Sequence, residues 1–148
     1  MAKSQIPIEA GLFTLPTSPE ETPHLLGARC RACGEVVFPR RRSCPKCFQE
    51  AMQEVALSRR GKVYTSTVVR IQPPPPFKAS GTFSPYGLGT VELPEGLIVP
   101  TLFTGYEASQ PLGIGTEVEL VVEKLEEDDA GNEVVIYKFR PSGKVRTA

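Results

Sequence analysis

Cys30-Arg31-Ala32-Cys33-Gly34, followed by Cys44-Pro45-Lys46-Cys47, decides how this chain is built. The two C-x-x-C pairs are separated by ten residues, a spacing at which two knuckles close on a single tetrahedral site of four thiolates. Each pair carries its own turn chemistry. Gly34 follows the first pair where a knuckle needs positive φ, and Pro45 inside the second presets its turn. The sequence has four cysteines, so every thiol is committed to this one centre. Zinc held by four cysteines has no open coordination position, and such a site holds a fold together without activating water or substrate. Iron is the other metal that suits this ligand set. Two disulfides would need an oxidising compartment, whereas Met1-Ala2-Lys3-Ser4-Gln5 does not begin an apolar secretory h-region. A redox dithiol would need only one of the two pairs.

Outward from the cysteines, composition sets the frame. The chain has 148 residues, 40% of them hydrophobic, and no run long enough to span a bilayer, which predicts one ordinary domain plus a small module in the cytoplasm. Formal net charge is zero but unevenly placed. Residues 29–62 hold nine Lys/Arg against three Asp/Glu, and residues 107–133 hold nine Asp/Glu against one Lys. Such asymmetry steers anionic ligands or docks onto an acidic surface, although a solvated exterior explains most single runs.

Upstream, residues 1–28 are rich in Pro, Thr and Ser, and Pro7, Pro16, Pro19 and Pro23 break any helix early. The segment reads as an extended arm ordered against another surface, with Leu12, Phe13 and Leu15 as its anchor. His24, the only histidine, fits a surface role better than that of a further ligand or a catalytic base.

Downstream the pattern becomes strands. Val63, Thr65, Thr67, Val69 and Ile71 alternate along one face of a long β-branched stretch after Gly61. A second strand is expected over 86–93 and a third over 97–103, joined by Pro94-Glu95-Gly96; Pro100 must fall at an edge or bulge. A fourth over 117–124 and a fifth over 134–139 flank a turn at 128–132. Five antiparallel strands after a compact metal module suit a five-stranded barrel of the oligonucleotide/oligosaccharide-binding (OB) type, with an SH3-like barrel as the alternative. The helix usual before the fourth strand should be missing or reduced, because Pro111, Gly113 and Gly115 crowd its place. The expected organisation is mainly β: an arm over 1–28, a rubredoxin-like zinc ribbon over 29–52, an OB-fold over 53–142 and a tail over 143–148. Between the first two strands, Pro73 to Pro76 and Phe77 form a stiff loop, suited to an arm, an aromatic-groove ligand or a plain rigid connection.

These residues carry a family resemblance. The two cysteine knuckles with Glu35-Val36-Val37-Phe38-Pro39-Arg40 after the first, then Gly61-Lys62-Val63-Tyr64-Thr65-Ser66-Thr67-Val68-Val69, resemble the zinc-ribbon plus OB-fold family once called domain of unknown function 35. Pro85-Tyr86, Val91-Glu92-Leu93, Glu95-Gly96, Gly113-Ile114-Gly115 and Phe139-Arg140-Pro141 extend the likeness over residues 26–141. It departs before Cys30, where the family often has an aromatic-rich helix. The resemblance implies a small, non-catalytic subunit bound to a thiolase-like or hydratase-like chain, stabilising that partner and helping to form its acyl-CoA site.

The residue chemistry agrees with an accessory role. One histidine permits no Ser/His/Asp set, no phosphate-cradling glycine loop is present, and no thiol is left over as a nucleophile. If the chain touches coenzyme A, Arg40, Arg41 and Arg42 are the candidates for the phosphates, with Phe77 or Tyr86 against the adenine or acyl chain. Nucleic-acid binding is the rival reading, because ribbons and OB barrels both serve it. Zero net charge, acidic fourth and fifth strands and a single aromatic, Tyr64, on the first strand weigh against it.

Overall fold

The structure is a computed structural model that describes residues 5–8, 11–15, 21–72 and 83–142. Nine strands are present and no helix among the described residues: β1 Gln5–Pro7, β2 Leu26–Cys30, β3 Val36–Val37, β4 Met52–Ala56, β5 Arg60–Val69, β6 Tyr86–Glu92, β7 Ile98–Phe103, β8 Glu117–Glu127 and β9 Glu133–Pro141. Strands β5 to β9 close into a five-stranded barrel in which β5 pairs with β6, β6 with β7, β7 with β9, β9 with β8, and β8 with β5. The β7–β9 pair is parallel and short, holding Leu102 against Lys138 and Phe103 against Phe139. This is the OB order, and the SH3-like alternative is set aside.

The turns follow their sequence. At the β6–β7 hairpin Gly96 takes φ 87° and donates its N–H to the Leu93 carbonyl at 2.9 Å. At the β8–β9 hairpin the Asp128 carboxylate accepts the N–H groups of Ala130 and Asn132, and Gly131 sits at φ 84°. These bonds hold the Asp128 carboxyl below its usual range, the Asn132 backbone N–H contributing most. Pro100 pairs with Thr90 of β6 on the stretch of β7 that β9 does not pair, so one side of the strand is open there.

Strand β5 departs from the simple alternation. Val63 is 2% exposed, but the β5–β6 register shifts between Val63 and Thr65, and beyond it Thr65 and Thr67 face solvent while Ile71 is 81% exposed. One extra residue at a bulge turns every later side chain to the opposite face, so the apolar set does not stay together. Ser66 turns toward the chain instead and accepts the Leu112 N–H at 2.9 Å. Gly89 allows β5 and β6 this approach: a Cβ there would lie 2.1 Å from the Thr65 carbonyl oxygen. In place of a helix before β8, residues 112–116 run along β5, with Gly115 N–H bonded to the Val63 carbonyl and Val63 N–H to that of Thr116.

Ahead of the barrel, β2 is flanked by β3 and β4 in an antiparallel three-stranded sheet. This sheet reaches beyond 29–52 at both ends, because β2 begins at Leu26 and β4 ends at Ala56. Ribbon and barrel share one core: Leu25, Val36 and Leu57 belong to the same cluster as Val63, Val99, Leu120 and Phe139. The described part of the N-terminal arm does not wait for another surface. It packs on this chain, with β1 parallel to β9, Leu26 N–H bonded to the Leu12 carbonyl, and Phe13 bridged to Leu25 and 4% exposed. The outer edge of β9 offers unpaired backbone groups, and a short arm satisfies them.

Tyr137 ties the three parts together. Its ring meets Phe13 of the arm edge-on at 6.1 Å and Phe38 of the ribbon at 5.8 Å, and its hydroxyl donates to the Pro100 carbonyl at 2.7 Å. Burial pushes its pKa up to about 12. A tyrosine whose pKa rises on folding contributes stability that is whole below the unfolded value of about 10 and disappears as pH climbs through the folded one. Tyr137→Phe should therefore cost about 1 kcal/mol near neutrality, the worth of one hydrogen bond. The same change should flatten the loss of melting temperature between roughly pH 10 and 12, leaving a smaller slope from Tyr106, which burial shifts the same way. Thermal melts stepped through that window decide it; parallel slopes for both proteins would remove Tyr137 from the account.

Candidate functional site

The four cysteine sulfurs lie within 4.8 Å of one another. Cys30 and Cys47 are 3.6 Å apart and Cys33 and Cys44 are 3.5 Å apart. A tetrahedron with metal–sulfur bonds of about 2.3 Å has sulfur–sulfur edges of about 3.8 Å, so the donor set fits a zinc-sized ion. Cys30 and Cys44 are buried, Cys33 is exposed and Cys47 half-buried, which places the centre at the surface end of the ribbon.

Local backbone explains the convergence. In the first knuckle Gly34 donates its N–H to the Cys30 carbonyl at 2.8 Å with φ 83°. In the second, Phe48 donates to the Cys44 carbonyl at 2.9 Å with φ 64°. The backbone N–H groups of Cys47 and Lys46 point at the Cys44 sulfur from 3.5 and 3.4 Å and, Cys47 first, bring that thiol down to about 7. Cys30 is lowered too, chiefly by the Cys33 backbone N–H. Cys33 goes the other way, to about 12: the Glu35 N–H lowers it, but burial and the three neighbouring sulfurs together outweigh that bond. Cys47 is raised by burial and by Cys30 and Cys44 against the Gln49 N–H. Four thiolates this close repel one another, and a cation held among them neutralises that repulsion.

His24 stays outside this cluster; its Nδ1 lies 3.1 Å from the Thr22 carbonyl and its backbone N–H bonds the Thr14 hydroxyl. Of the residues considered for coenzyme A, the three arginines lie on the ribbon and Tyr86 on the barrel. The Arg40 guanidinium pairs with Glu54, and Arg42 lies 3.4 Å from Glu50, so two of the three arginines already face carboxylates of this chain. Arg41 is exposed with no such partner among the described residues. Tyr86 opens β6 on the barrel and meets Phe83 edge-on at 6.1 Å. Phe77 and the four prolines before it lie outside the described residues.

Sequence reasoning passed over Phe48. It is 80% exposed and is the one non-glycine residue with positive φ among those described. The signal was readable: the first C-x-x-C is followed by Gly34 and the second by Phe48.

Comparison with known proteins agrees with this architecture. Residues 18–53 match the family model described as ChsH2, rubredoxin-like zinc ribbon domain, and residues 54–123 match ChsH2, C-terminal OB-fold domain. A "DUF35 domain-containing scaffold protein" of Methanocaldococcus jannaschii is 38% identical over 79% of this chain and 81% of its own length. The "Benzoylsuccinyl-CoA thiolase subunit BbsA" of Thauera aromatica is 36% identical over 80% of this chain and 76% of its own. Among solved structures, an "Ltp2-ChsH2(DUF35) aldolase" chain superposes with a TM-score of 0.60 at 30% identity, covering 81% of this chain and 86% of that one.

Proposed function

This chain belongs to the ChsH2-type family, in which a rubredoxin-like zinc ribbon precedes an OB-fold domain, and on that premise we propose that it is a non-catalytic accessory subunit of a thiolase-like enzyme complex. In this reading it stabilises a catalytic partner that makes or breaks a carbon–carbon bond in an acyl-CoA, and helps to form that partner's acyl-CoA site. The observation that carries the proposal is the thiolase-subunit relative aligned over 80% of the chain. The residue chemistry supports it, because the four thiols converge on one another and the lone histidine ring faces a backbone carbonyl. No nucleophile–base pair stands ready among the described residues.

Cys30, Cys33, Cys44 and Cys47 would hold zinc, which in a four-thiolate site supplies structure and no open position for substrate. Four thiols gathered on one metal site suit a cytoplasmic setting. Where the coenzyme A thioester is contacted, Arg40, Arg41 and Arg42 are the cations proposed for its phosphates, with Phe77 or Tyr86 against the adenine or acyl chain.

A tagged pull-down from the native cell at moderate salt, followed by size-exclusion chromatography and mass spectrometry, tests the proposal. The expected result is a stoichiometric thiolase-like or hydratase-like chain that stays bound as salt rises. A protein that emerges alone with its metal, or with nucleic acid released by higher salt, overturns it, since phosphate contacts weaken steeply with ionic strength and apolar interfaces do not.

A further inference from the structure

We propose that Phe48 is the anchor that seats this chain on its catalytic partner, entering an apolar pocket of that protein whose rim is acidic. The inference rests on the accessory-subunit reading and assigns it a contact residue. The two knuckles make the same turn: N–H to carbonyl bonds of 2.8 and 2.9 Å close them, with Gly34 at φ 83° and Phe48 at φ 64°. Glycine occupies that backbone conformation without penalty, whereas an L-residue with a bulky side chain is strained in it. Phe48 gains nothing by burial in return, because its side chain is 80% exposed and the described aromatic pairs do not include it. Both terms disfavour phenylalanine in the free chain, and a binding site for the ring on another molecule reverses the second of them.

The setting suits an anchor. The ring is presented on a loop fastened at both ends, by Cys44 N–H to the Gln49 carbonyl at 2.9 Å and by the knuckle bond itself, so little further freedom is lost on docking. The segment that carries it is basic in sequence. Residues 29–52 carry six Lys/Arg against two Asp/Glu, and Arg31 and Arg41 are exposed without an ion-pair partner among the described residues. An exposed aromatic on a fastened loop suits the centre of a protein–protein hot spot, and the basic segment that carries it favours carboxylates on the facing protein. A nucleic-acid platform would need successive stacking rings, and the ribbon exposes one.

The test uses the full-length chain and the catalytic chain identified by co-purification, produced separately, with the catalytic chain titrated against wild type, Phe48→Gly and Phe48→Ala by calorimetry and surface binding kinetics. Both Phe48 variants should weaken the dissociation constant at least tenfold while each retains the metal of wild type. The free Phe48→Gly protein should melt no lower than Phe48→Ala, because glycine relaxes the turn. Association of wild type should slow as salt is raised. Affinities of both Phe48 variants within twofold of wild type overturn the anchor and leave the accessory role standing. A wild type that binds no catalytic chain overturns both. A wild type that dimerises through Phe48, seen as monomer in sedimentation of Phe48→Ala, moves the contact to a second copy and overturns the assignment to the partner.

Discussion

Cys44→Ser should strip the metal from the ribbon and dissolve the β2–β3–β4 sheet. Structural zinc contributes on the order of 10 kcal/mol of apparent binding free energy to a module of this size, and that energy is folding energy because the site does not exist in the unfolded chain. The β3 side of the ribbon is the weak one: β3 has two residues and pairs with β2 through Ala28–Val37 and Arg29–Val36 alone, against five pairs between β2 and β4. Cys44 is a buried member whose sulfur accepts two backbone N–H groups, and serine there replaces a thiolate ligand with a hydroxyl that binds zinc poorly. The damage should spread, since Leu25, Val36 and Leu57 belong to the barrel's own core. Metal analysis with amide exchange resolved along the chain measures this. Fast exchange over 26–56 with slower exchange in β5 to β9, and a lowered melting temperature, is the expected pattern. A metal-free variant that kept its ribbon protected would show that packing, and not the four thiolates, shapes this module.

What could be read from sequence divides along a physical line. The cysteine spacing, the alternation of β8 and the glycine turns at Gly96 and Gly131 are local signals, and each appears where it was expected. The features that were not legible depend on distant chain. Gln5–Pro7 is a strand only because β9 leaves an edge open beside it, and a three-residue stretch ending in proline carries no period of its own. The bulge at Val63/Thr65 is set by how β6 closes on β5, with Gly89 yielding the space, so a perfect alternation in sequence splits between two faces. The arginine run is visible in sequence, whereas the return of Glu54 and Glu50 across the ribbon to face Arg40 and Arg42 is not. Phe48 is the opposite case: its position after the second pair was visible, and only its backbone angle and exposure show that the residue works against the free fold.

The second large effect is expected at the opposite end of the chain. Phe139 is fully buried and sits where the barrel closes, opposite Leu120 on β8 and Phe103 on β7, while its carbonyl accepts the Thr104 N–H at 3.0 Å. Phe139→Ala should cost about 3–5 kcal/mol, the transfer loss plus the cavity left between strands that cannot collapse onto each other. Against a total of roughly 5–15 kcal/mol for a domain of this size, that is enough to populate the open barrel. Phe139→Leu, which keeps most of the volume, should cost under about 1.5 kcal/mol. Urea unfolding of both variants measures the difference; equal midpoints would mean that the short β7–β9 ladder closes the barrel without its side chains. Binding then separates this lesion from one at an interface. A partner that binds only the folded form pulls the equilibrium back by mass action, so excess catalytic chain should restore Phe139→Ala to near wild-type complex formation. Phe48→Ala, folded but lacking its anchor, should gain from excess only as a weakened affinity allows, and the two titration curves should differ in shape as well as position.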